Sequence, residues 1–261
     1  MRSISLALFC LSLCAADEIQ VNANGQLSSP TLFNPVLLKN PINVQANRAQ
    51  LAAGNTDVYT APPARRAAVY AVHFFNTANP GTAAFAEAKI SGVYLPLQSS
   101  VTVAGKSAVT SSIGYVLEPG ETLAVNTATG GRINFFASII EFDATSSLRT
   151  VTLRTFVAGN NTAYTVPAMK TAVILSNGLL SGGGTATYVN TSGSTRSEHL
   201  NVVPAIGTPA IGNQISADTN VTNNNALVIS IADTMSTGSM LSISVDAATA
   251  TQFFWISILE Y

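Results

Sequence analysis

The sequence predicts an all-β protein made of two tandem, related β-sandwich domains of jelly-roll type, preceded by an extended N-terminal arm. Three observations support this prediction. One sequence phrase occurs twice, short apolar runs alternate with turn residues, and the chain is 47% hydrophobic with only 10% charged residues. Soluble domains usually carry about 25% charged residues. A chain of this composition favours burial against copies of itself or against partners.

The internal repeat is the main observation on domain organisation. The phrase NTDVYTAP begins at Asn55, and NNTAYTVP begins 105 residues later at Asn160. In each copy a basic residue and an apolar strand follow, leading to Asn76 in the first copy and Asn177 in the second. The closing blocks FFASIIEF (135–142) and FWISILEY (254–261) are spaced by 119 residues. The second copy therefore has 14 extra residues, which we expect in the segments 181–184 and 206–220.

Short β-rich runs separated by Gly, Pro and Asn fill both copies, as in sandwich proteins. Only 83–88 could form a turn of helix, or it could continue a strand. Predicted strands in the first copy are 67–72, 90–95, 99–104, 113–117, 122–125 and 133–141, and in the second 172–176, 185–190, 198–203, 227–231, 240–245 and 252–259.

These patterns divide the chain into an arm over residues 1–54 and two domains over 55–145 and 146–261. X-Pro pairs keep the end of the arm extended and irregular. Its apolar side chains could pack on a neighbouring subunit or back onto the chain's own domain. The interface candidates are Leu32, Phe33, Val36, Leu37 and Leu38.

The first sixteen residues allow two interpretations. Arg2, an apolar run and the small residues Cys14 and Ala16 match a short signal peptide cleaved before Asp17. The run is shorter than the roughly 20 apolar residues of a membrane-spanning helix. The alternative is an uncleaved arm that buries these side chains against another subunit.

Charge and cysteine content exclude several classes of function. Twelve basic residues against 13 acidic ones, without a basic cluster, argue against nucleic-acid binding. The two cysteines, Cys10 and Cys14, both lie near the N-terminus. The rest of the chain therefore has no disulfide framework and no thiolate metal site. No membrane partner is expected.

Catalytic and metal-binding patterns are not found either. His73 lies within an apolar strand and His199 lies beside Glu198, with no second histidine at metal-ligand spacing. No serine lies in a G-x-S-x-G motif. Glu141 and Glu260 occupy equivalent strand ends, which suggests structural caps rather than an acid/base pair. We therefore predict no catalytic residue, no cofactor and no metal site.

Two polar runs have weak alternatives. The Asn-rich run 218–224 has alternating oxygen side chains, but it lacks the central Gly and closing Glu of a calcium loop. Asn160, Asn190 and Asn220 each begin an N-x-S/T sequon, which is relevant only in a eukaryotic secretory pathway.

The block YTVPAMKTAV, which begins at Tyr164, resembles the opening strand of small β-sandwich domains in tailed-phage virion proteins. The phrase YTAP at Tyr59 and the turn EPGETL at Glu118 match the same pattern, although Met169 and Pro63 depart from it. The resemblance covers roughly residues 55–143 and 160–261. It implies a capsid decoration (cement), fibre or tail-accessory protein.

We therefore expect a non-enzymatic, homo-oligomeric structural component of a phage particle, bound to other virion proteins such as the major capsid protein. One alternative is a secreted bacterial surface or filament subunit, favoured if residues 1–16 are cleaved. Another is a glycan- or receptor-binding sandwich, with Tyr94, Tyr115 and Tyr188 as its aromatic candidates. An enzyme dependent on His73 or His199 is the remaining alternative.

Overall fold

The computed structural model describes residues 38–175, 184–190, 194–203, 219–223, 225–231, 234–235, 237–247 and 252–260. These residues form nineteen β-strands, and every strand pairing among them is antiparallel. The predicted all-β fold class is confirmed.

The first nine strands form two sheets that we call the first roll. Sheet 1 has the order β1-β9-β3-β7, and sheet 2 has the order β2-β8-β4-β5, with β6 also paired to β4. The strands are β1 (Ile42–Arg48), β2 (Gly54–Thr60), β3 (Arg65–Asn76), β4 (Thr82–Ile90), β5 (Val93–Pro96), β6 (Val101–Val103), β7 (Ala108–Leu117), β8 (Thr122–Thr127) and β9 (Ile133–Asp143).

The remaining strands form the second roll. In sheet 3 the central strand β19 pairs with β10, β12 and β13, while β16 pairs with β13 and β17 with β12. Sheet 4 has the order β11-β18-β14-β15. The strands are β10 (Leu148–Leu153), β11 (Gly159–Thr165), β12 (Ala172–Leu175), β13 (Gly184–Asn190), β14 (Arg196–Val203), β15 (Thr219–Val221), β16 (Asn225–Ile231), β17 (Thr234–Met235), β18 (Met240–Val245) and β19 (Gln252–Glu260).

Both rolls have the strand order of a jelly roll. In the first roll, β5 and β6 together count as the fifth of eight strands. One sheet then contains the first, eighth, third and sixth strands, and the other contains the second, seventh, fourth and fifth. The second roll has the same order, with β12 and β13 together as the third strand and β16 and β17 together as the sixth.

Equivalent local contacts show that the repeat extends to details of the backbone. The register between the second and seventh strands shifts between Asp57 and Tyr59 in the first roll, and between Thr162 and Tyr164 in the second. Such a bulge changes which face the following side chain occupies. It therefore fixes the direction of the tyrosine in both YT-x-P phrases.

A buried asparagine ends the third strand in both rolls. The Asn76 side-chain amide donates to the carbonyls of Pro80 (3.2 Å) and Val103 (3.0 Å). The Asn190 amide donates to Ser194 (2.8 Å) and Val221 (2.6 Å), which hold the same places in the second roll. The structural counterpart of Asn76 is therefore Asn190 and not Asn177, which lies outside the described residues.

The mismatch with Asn177 arises because the third strand is interrupted in the second roll. Ala67 pairs with Glu141 and Ala172 pairs with Glu260, so these alanines are equivalent. Asn76 lies nine positions after Ala67, whereas Asn190 lies eighteen positions after Ala172. The continuous strand β3 is therefore represented by β12 and β13, and the segment between them includes part of the predicted insertion at 181–184.

Several sequence-based predictions differ from the structure. The predicted strand 90–95 contains the turn between β4 and β5, where Ser91 and Gly92 both have positive φ (52° and 82°). For the segment 83–88, where the sequence left a turn of helix and a strand open, the structure has the strand β4. The arm predicted over 1–54 contains β1, which pairs along its whole length with β9. The X-Pro pairs that suggested irregular structure all precede Ile42, so they do not prevent this pairing.

The Asn76 contacts generate a stability prediction. Replacing Asn76 with Ala leaves the carbonyls of Pro80 and Val103 without this donor inside a buried site. We expect the free energy of unfolding to fall by about 1–3 kcal/mol, measured by urea denaturation. Replacing the exposed Asn47 with Ala is the control and should change it by less than about 0.5 kcal/mol. Equal effects of the two substitutions would contradict a structural role for Asn76.

Candidate functional site

Among the described residues, the most extensive set of contacts that could define a site is the interface between the two rolls. Successive side chains of β19 point alternately into two different cores. Phe254, Ile256 and Ile258 lie in the core of the second roll, while Phe253 and Trp255 join the core cluster of the first roll. All eight residues from Gln252 to Leu259 are buried, as expected for a strand covered on both faces.

Trp255 is the centre of this interface. Its ring meets the Tyr115 ring edge-on, with 5.4 Å between the ring centroids and an interplanar angle of 78°. This T-shaped arrangement is a favoured geometry for aromatic pairs, worth about 0.5–1.5 kcal/mol beyond area burial. Tyr115 lies on β7, the edge strand of sheet 1. The second roll therefore covers an edge of the first.

Two hydroxyl groups of the second roll bind the backbone of this edge. The Val116 amide donates to Thr150 Oγ1 at 2.7 Å, and Ser257 Oγ donates to the Gly114 carbonyl at 2.5 Å. Thr150 Oγ1 and Ser257 Oγ are 3.0 Å apart. Since the Ser257 proton goes to Gly114, Thr150 is the donor between the two hydroxyls. Backbone groups of the edge strand thus have fixed partners from the other roll.

Two further contacts extend the interface. Ser99 Oγ donates to Asn225 Oδ1 at 2.8 Å and accepts from the Ala226 amide at 2.9 Å. A separate apolar cluster joins residues of both rolls with the start of the described chain. Its buried members are Leu38, Ala68, Val116, Phe142, Leu148, Val173 and Leu259.

A tyrosine–glutamate pair joins the two sheets of each roll. Tyr59 Oη donates to Glu141 Oε1 at 2.9 Å, and Tyr164 Oη donates to Glu260 Oε1 at 2.8 Å. The glutamates also form ion pairs, with Arg65 Nε 3.0 Å from Glu141 Oε2 and the Arg149 guanidinium against Glu260. The repeated tyrosine and the repeated strand-end glutamate, which the sequence treats as separate motifs, are thus bonded partners.

The surroundings of these pairs shift their pKa values. Burial, together with the hydrogen bond to a carboxylate, raises the pKa of both Tyr59 and Tyr164. For Glu260, burial is the largest single effect and favours the neutral acid, but hydrogen bonds from Arg149 and Tyr164 outweigh it and lower the pKa. The raised pKa values keep Tyr59 and Tyr164 protonated, as hydrogen-bond donors, near neutral pH.

The outer face of sheet 2 carries a polar cluster. Asp57 accepts from Lys89 Nζ at 2.6 Å and from Tyr94 Oη at 3.0 Å, and Lys89 Nζ lies 5.0 Å from the centroid of the Tyr94 ring. Glu87 is on the same strand as Lys89 but is only 4% exposed, and its Oε2 has no hydrogen-bond partner among the described residues. Burial raises the Glu87 pKa to about 7.

The residues considered for catalysis or metal binding are not brought together. His73 lies on the outer face of sheet 1, where Nδ1 is 2.8 Å from Thr110 Oγ1, and His199 lies on β14 of the other roll. The described residues contain no group of three or more metal-ligating side chains. Within the run 218–224, Thr219–Val221 is the strand β15 rather than a calcium loop. Asn190 is fully buried, so this sequon is not accessible in the folded chain.

Of the predicted interface residues, only Leu38 lies within the described part of the chain. It is 1% exposed and packs in the cluster with Ala68, Val116 and Phe142. Leu38 therefore contacts the chain's own rolls, the second of the two possibilities left open by the sequence. The predicted signal segment 1–16 and the other four candidates, Leu32, Phe33, Val36 and Leu37, lie outside the described residues.

Fold and interface together define an all-β protein in which two jelly rolls share an apolar interface. No protein-family model matches the sequence, and no curated protein matches it. The described part of the chain contains no helix with the length and hydropathy needed to span a lipid bilayer.

Solved structures resemble the chain only distantly. The major capsid protein P2 of bacteriophage PM2 has a TM-score of 0.34 and 10% identity, over 84% of this chain and 98% of P2. The exported protein XepA of PBSX has a TM-score of 0.25 and 9% identity, over 94% of this chain and 98% of XepA. The tandem CBM22 domains of Xyn10C from Paenibacillus barcinonensis have a TM-score of 0.25 and 9% identity, over 85% of this chain and 91% of the tandem domain. These TM-scores are below 0.5, so the chain's own strand order defines the fold.

The interface between the rolls generates a stability prediction that tryptophan fluorescence can test. Trp255 is the only tryptophan of the chain and lies between the rolls. We expect urea denaturation followed by tryptophan fluorescence and by circular dichroism to give coincident transitions, because Phe253 and Trp255 of the second roll are part of the first roll's core cluster. Replacing Thr150 with Val removes the acceptor of the Val116 amide and should lower the free energy of unfolding by about 1–3 kcal/mol. The exposed Thr162→Val on β11 is the control. A fluorescence transition well before the circular dichroism transition in the wild type would refute a shared unit.

Glu87 generates a pH prediction. The folded state holds its carboxyl group at a pKa of about 7, above the ordinary value of 4.5, because the group is buried. The folded state therefore binds more protons between these values, and stability is lost as pH rises from about 4.5 through 7. Over this range the free energy of unfolding of the wild type should fall by an amount on the order of 2–3 kcal/mol. Glu87→Gln, which has no carboxyl group here, should not show this fall. Both proteins are measured by urea denaturation between pH 4.5 and 8. Parallel wild-type and variant curves over this range would show that Glu87 does not titrate in this way.

Proposed function

We propose that this chain is a non-enzymatic structural component of a bacteriophage particle, where it binds the capsid or tail surface as a decoration (cement) or fibre protein. The observation that carries the proposal is the interface around Trp255, which joins two jelly rolls, each with its own core, into one block. A rigid block of this kind presents several sheet faces in a fixed relation. Many copies on a symmetric particle multiply modest contacts into strong attachment.

The jelly-roll strand order is consistent with a structural virion protein, but the same order also occurs in proteins with other functions. Jelly rolls occur in viral capsid proteins, lectins and cupins, and function belongs to sites rather than to folds. The described residues bring together no metal-ligand cluster of the kind that a metal-dependent cupin would need. The Tyr–Glu pairs are equivalent in both rolls and bridge sheets, which fits a structural role. We propose two duplicated domains: residues 55–145, to which the structure adds β1 (Ile42–Arg48), and residues 146–261, which begin with β10.

A glycan-binding function has less support from the surface. Tyr115 and Tyr188, two of the three aromatic candidates, are 1% and 0% exposed. Tyr94 is half-buried, but Lys89 lies over its ring and Asp57 accepts its hydroxyl proton. A sugar would have to displace these contacts before it could stack on the ring. The virion component therefore remains the proposal.

The proposed function is tested by mass spectrometry of purified particles and of culture supernatant, with quantification of peptides from both rolls and of the N-terminal peptide. We expect the chain in particles at a fixed ratio to the major capsid protein, with a peptide that starts at Met1 or Arg2. Major capsid peptides without those of this chain would refute the proposal. A chain found only in the supernatant and starting at Asp17 would establish the secreted alternative.

A further inference from the structure

The two rolls use the same surface differently. We call the outer face of sheet 3 the closed face, made of Thr187, Val189, Phe253, Trp255 and Ser257. We call the equivalent outer face of sheet 1 the open face. The strand registers assign its residues in the same order: His73, Phe75, Asn134, Phe136 and Ser138.

Burial separates the two faces. Every residue of the closed face is at most 2% exposed, because the first roll covers it. On the open face Phe75 is 45% exposed, while His73, Asn134, Phe136 and Ser138 are only partly buried. The strand patterns express the same contrast, since β9 alternates between buried and partly exposed residues for most of its length and β19 is buried almost throughout. The open face thus has the position of an interface, and no described residue of the chain covers it as the first roll covers the closed face.

The chemistry of the open face is also that of an interface. The Phe136 and His73 rings contact each other at a tilt of 52°, with their centroids 5.4 Å apart, and Phe75 lies two positions after His73 on β3. The outward positions of the flanking strands add only small and uncharged residues. Those are Asn43, Gln45 and Asn47 on β1, and Ala108, Thr110 and Ser112 on β7. Interface cores are depleted in charge and enriched in aromatic side chains, whereas the outer face of sheet 2 carries Asp57, Glu87 and Lys89.

The open face is continuous with the interface already present in the chain. Along β3 and β9 it follows directly after Ala68, Tyr70, Ile140 and Phe142, which pack against residues of the second roll. An adjacent partner would therefore extend an existing contact surface. In the second roll, the occupant of this face is another roll of the same repeat.

We propose that the open face is a docking surface for a second copy of this chain, which supplies a jelly roll in the way that the first roll covers the closed face. The proposal rests on the proposed function in that it identifies the surface used for self-assembly. It assigns Phe75 and Phe136 as the apolar centre of the contact, with the polar residues of β1 and β7 at its rim.

The proposal is tested by sedimentation of the full-length chain at tens of micromolar. The melting temperature is measured at a dilution at which the wild type and the variants are all single chains, because loss of assembly would itself lower it. We expect the wild type to sediment as an oligomer. Phe75→Asp should sediment as a single chain with a nearly unchanged melting temperature, because its side chain is outside the intramolecular cores. Ser138→Arg, which places a large charge beside Phe136, is a second variant with the same expected result. The control is Val93→Asp, which changes an equally exposed apolar residue (52%) at the β4–β5 turn and should remain oligomeric.

Two outcomes would overturn the proposal: a monomeric wild type, or an oligomer that neither Phe75→Asp nor Ser138→Arg weakens. A monomer that melts markedly earlier after Phe75→Asp would assign the face to another part of the same chain instead, and so would also overturn it. These results are separate from the particle test. An oligomer broken by Phe75→Asp in a chain absent from particles would refute the proposed function alone, and a monomer present in particles would refute this inference alone.

Discussion

The architecture depends on how the exposed edge of β7 is covered. An edge strand presents unpaired amide and carbonyl groups, which invite pairing with other chains. Here the Val116 amide and the Gly114 carbonyl bind Thr150 and Ser257, and Trp255 packs against Tyr115 beside them. The same contacts satisfy polar backbone groups and bury apolar area, so the first roll is completed by the second. The core cluster of the first roll therefore includes Phe253 and Trp255 of the second roll.

Within each roll, the tyrosine–glutamate hydrogen bond connects the two sheets. The bulge before Tyr59 and before Tyr164 directs each hydroxyl toward the last strand, where the glutamate accepts it. The cation differs, because Arg65 comes from the third strand and Arg149 from the first strand of the second roll. The pair was therefore retained while its neighbours changed, as expected if bridging the sheets is what constrains these positions.

Fold class, duplication and most strand positions could be predicted because they depend on local patterns: apolar alternation, turn residues and a repeated phrase. The counterpart of Asn76 could not, because an insertion within a strand shifts every later residue, and only the pairing register identifies Asn190. The interface was missed for a different reason. FFASIIEF and FWISILEY look alike as sequences, and no local pattern shows that Trp255 is covered by another roll whereas Phe136 is not. The tyrosine–glutamate bond joins residues 82 and 96 positions apart, beyond the reach of spacing rules. Leu32, Phe33, Val36 and Leu37 remain predictions.

The covalent link between the rolls changes how the Trp255 interface responds to concentration. Two separate rolls with the same surfaces would associate in a bimolecular equilibrium and part on dilution. In one chain, the short connection from β9 to β10 keeps the second surface at a high effective concentration near the first, typically in the millimolar range for short linkers. The two-roll block therefore persists in a single molecule at any dilution. A newly synthesised chain can form it before it meets another copy.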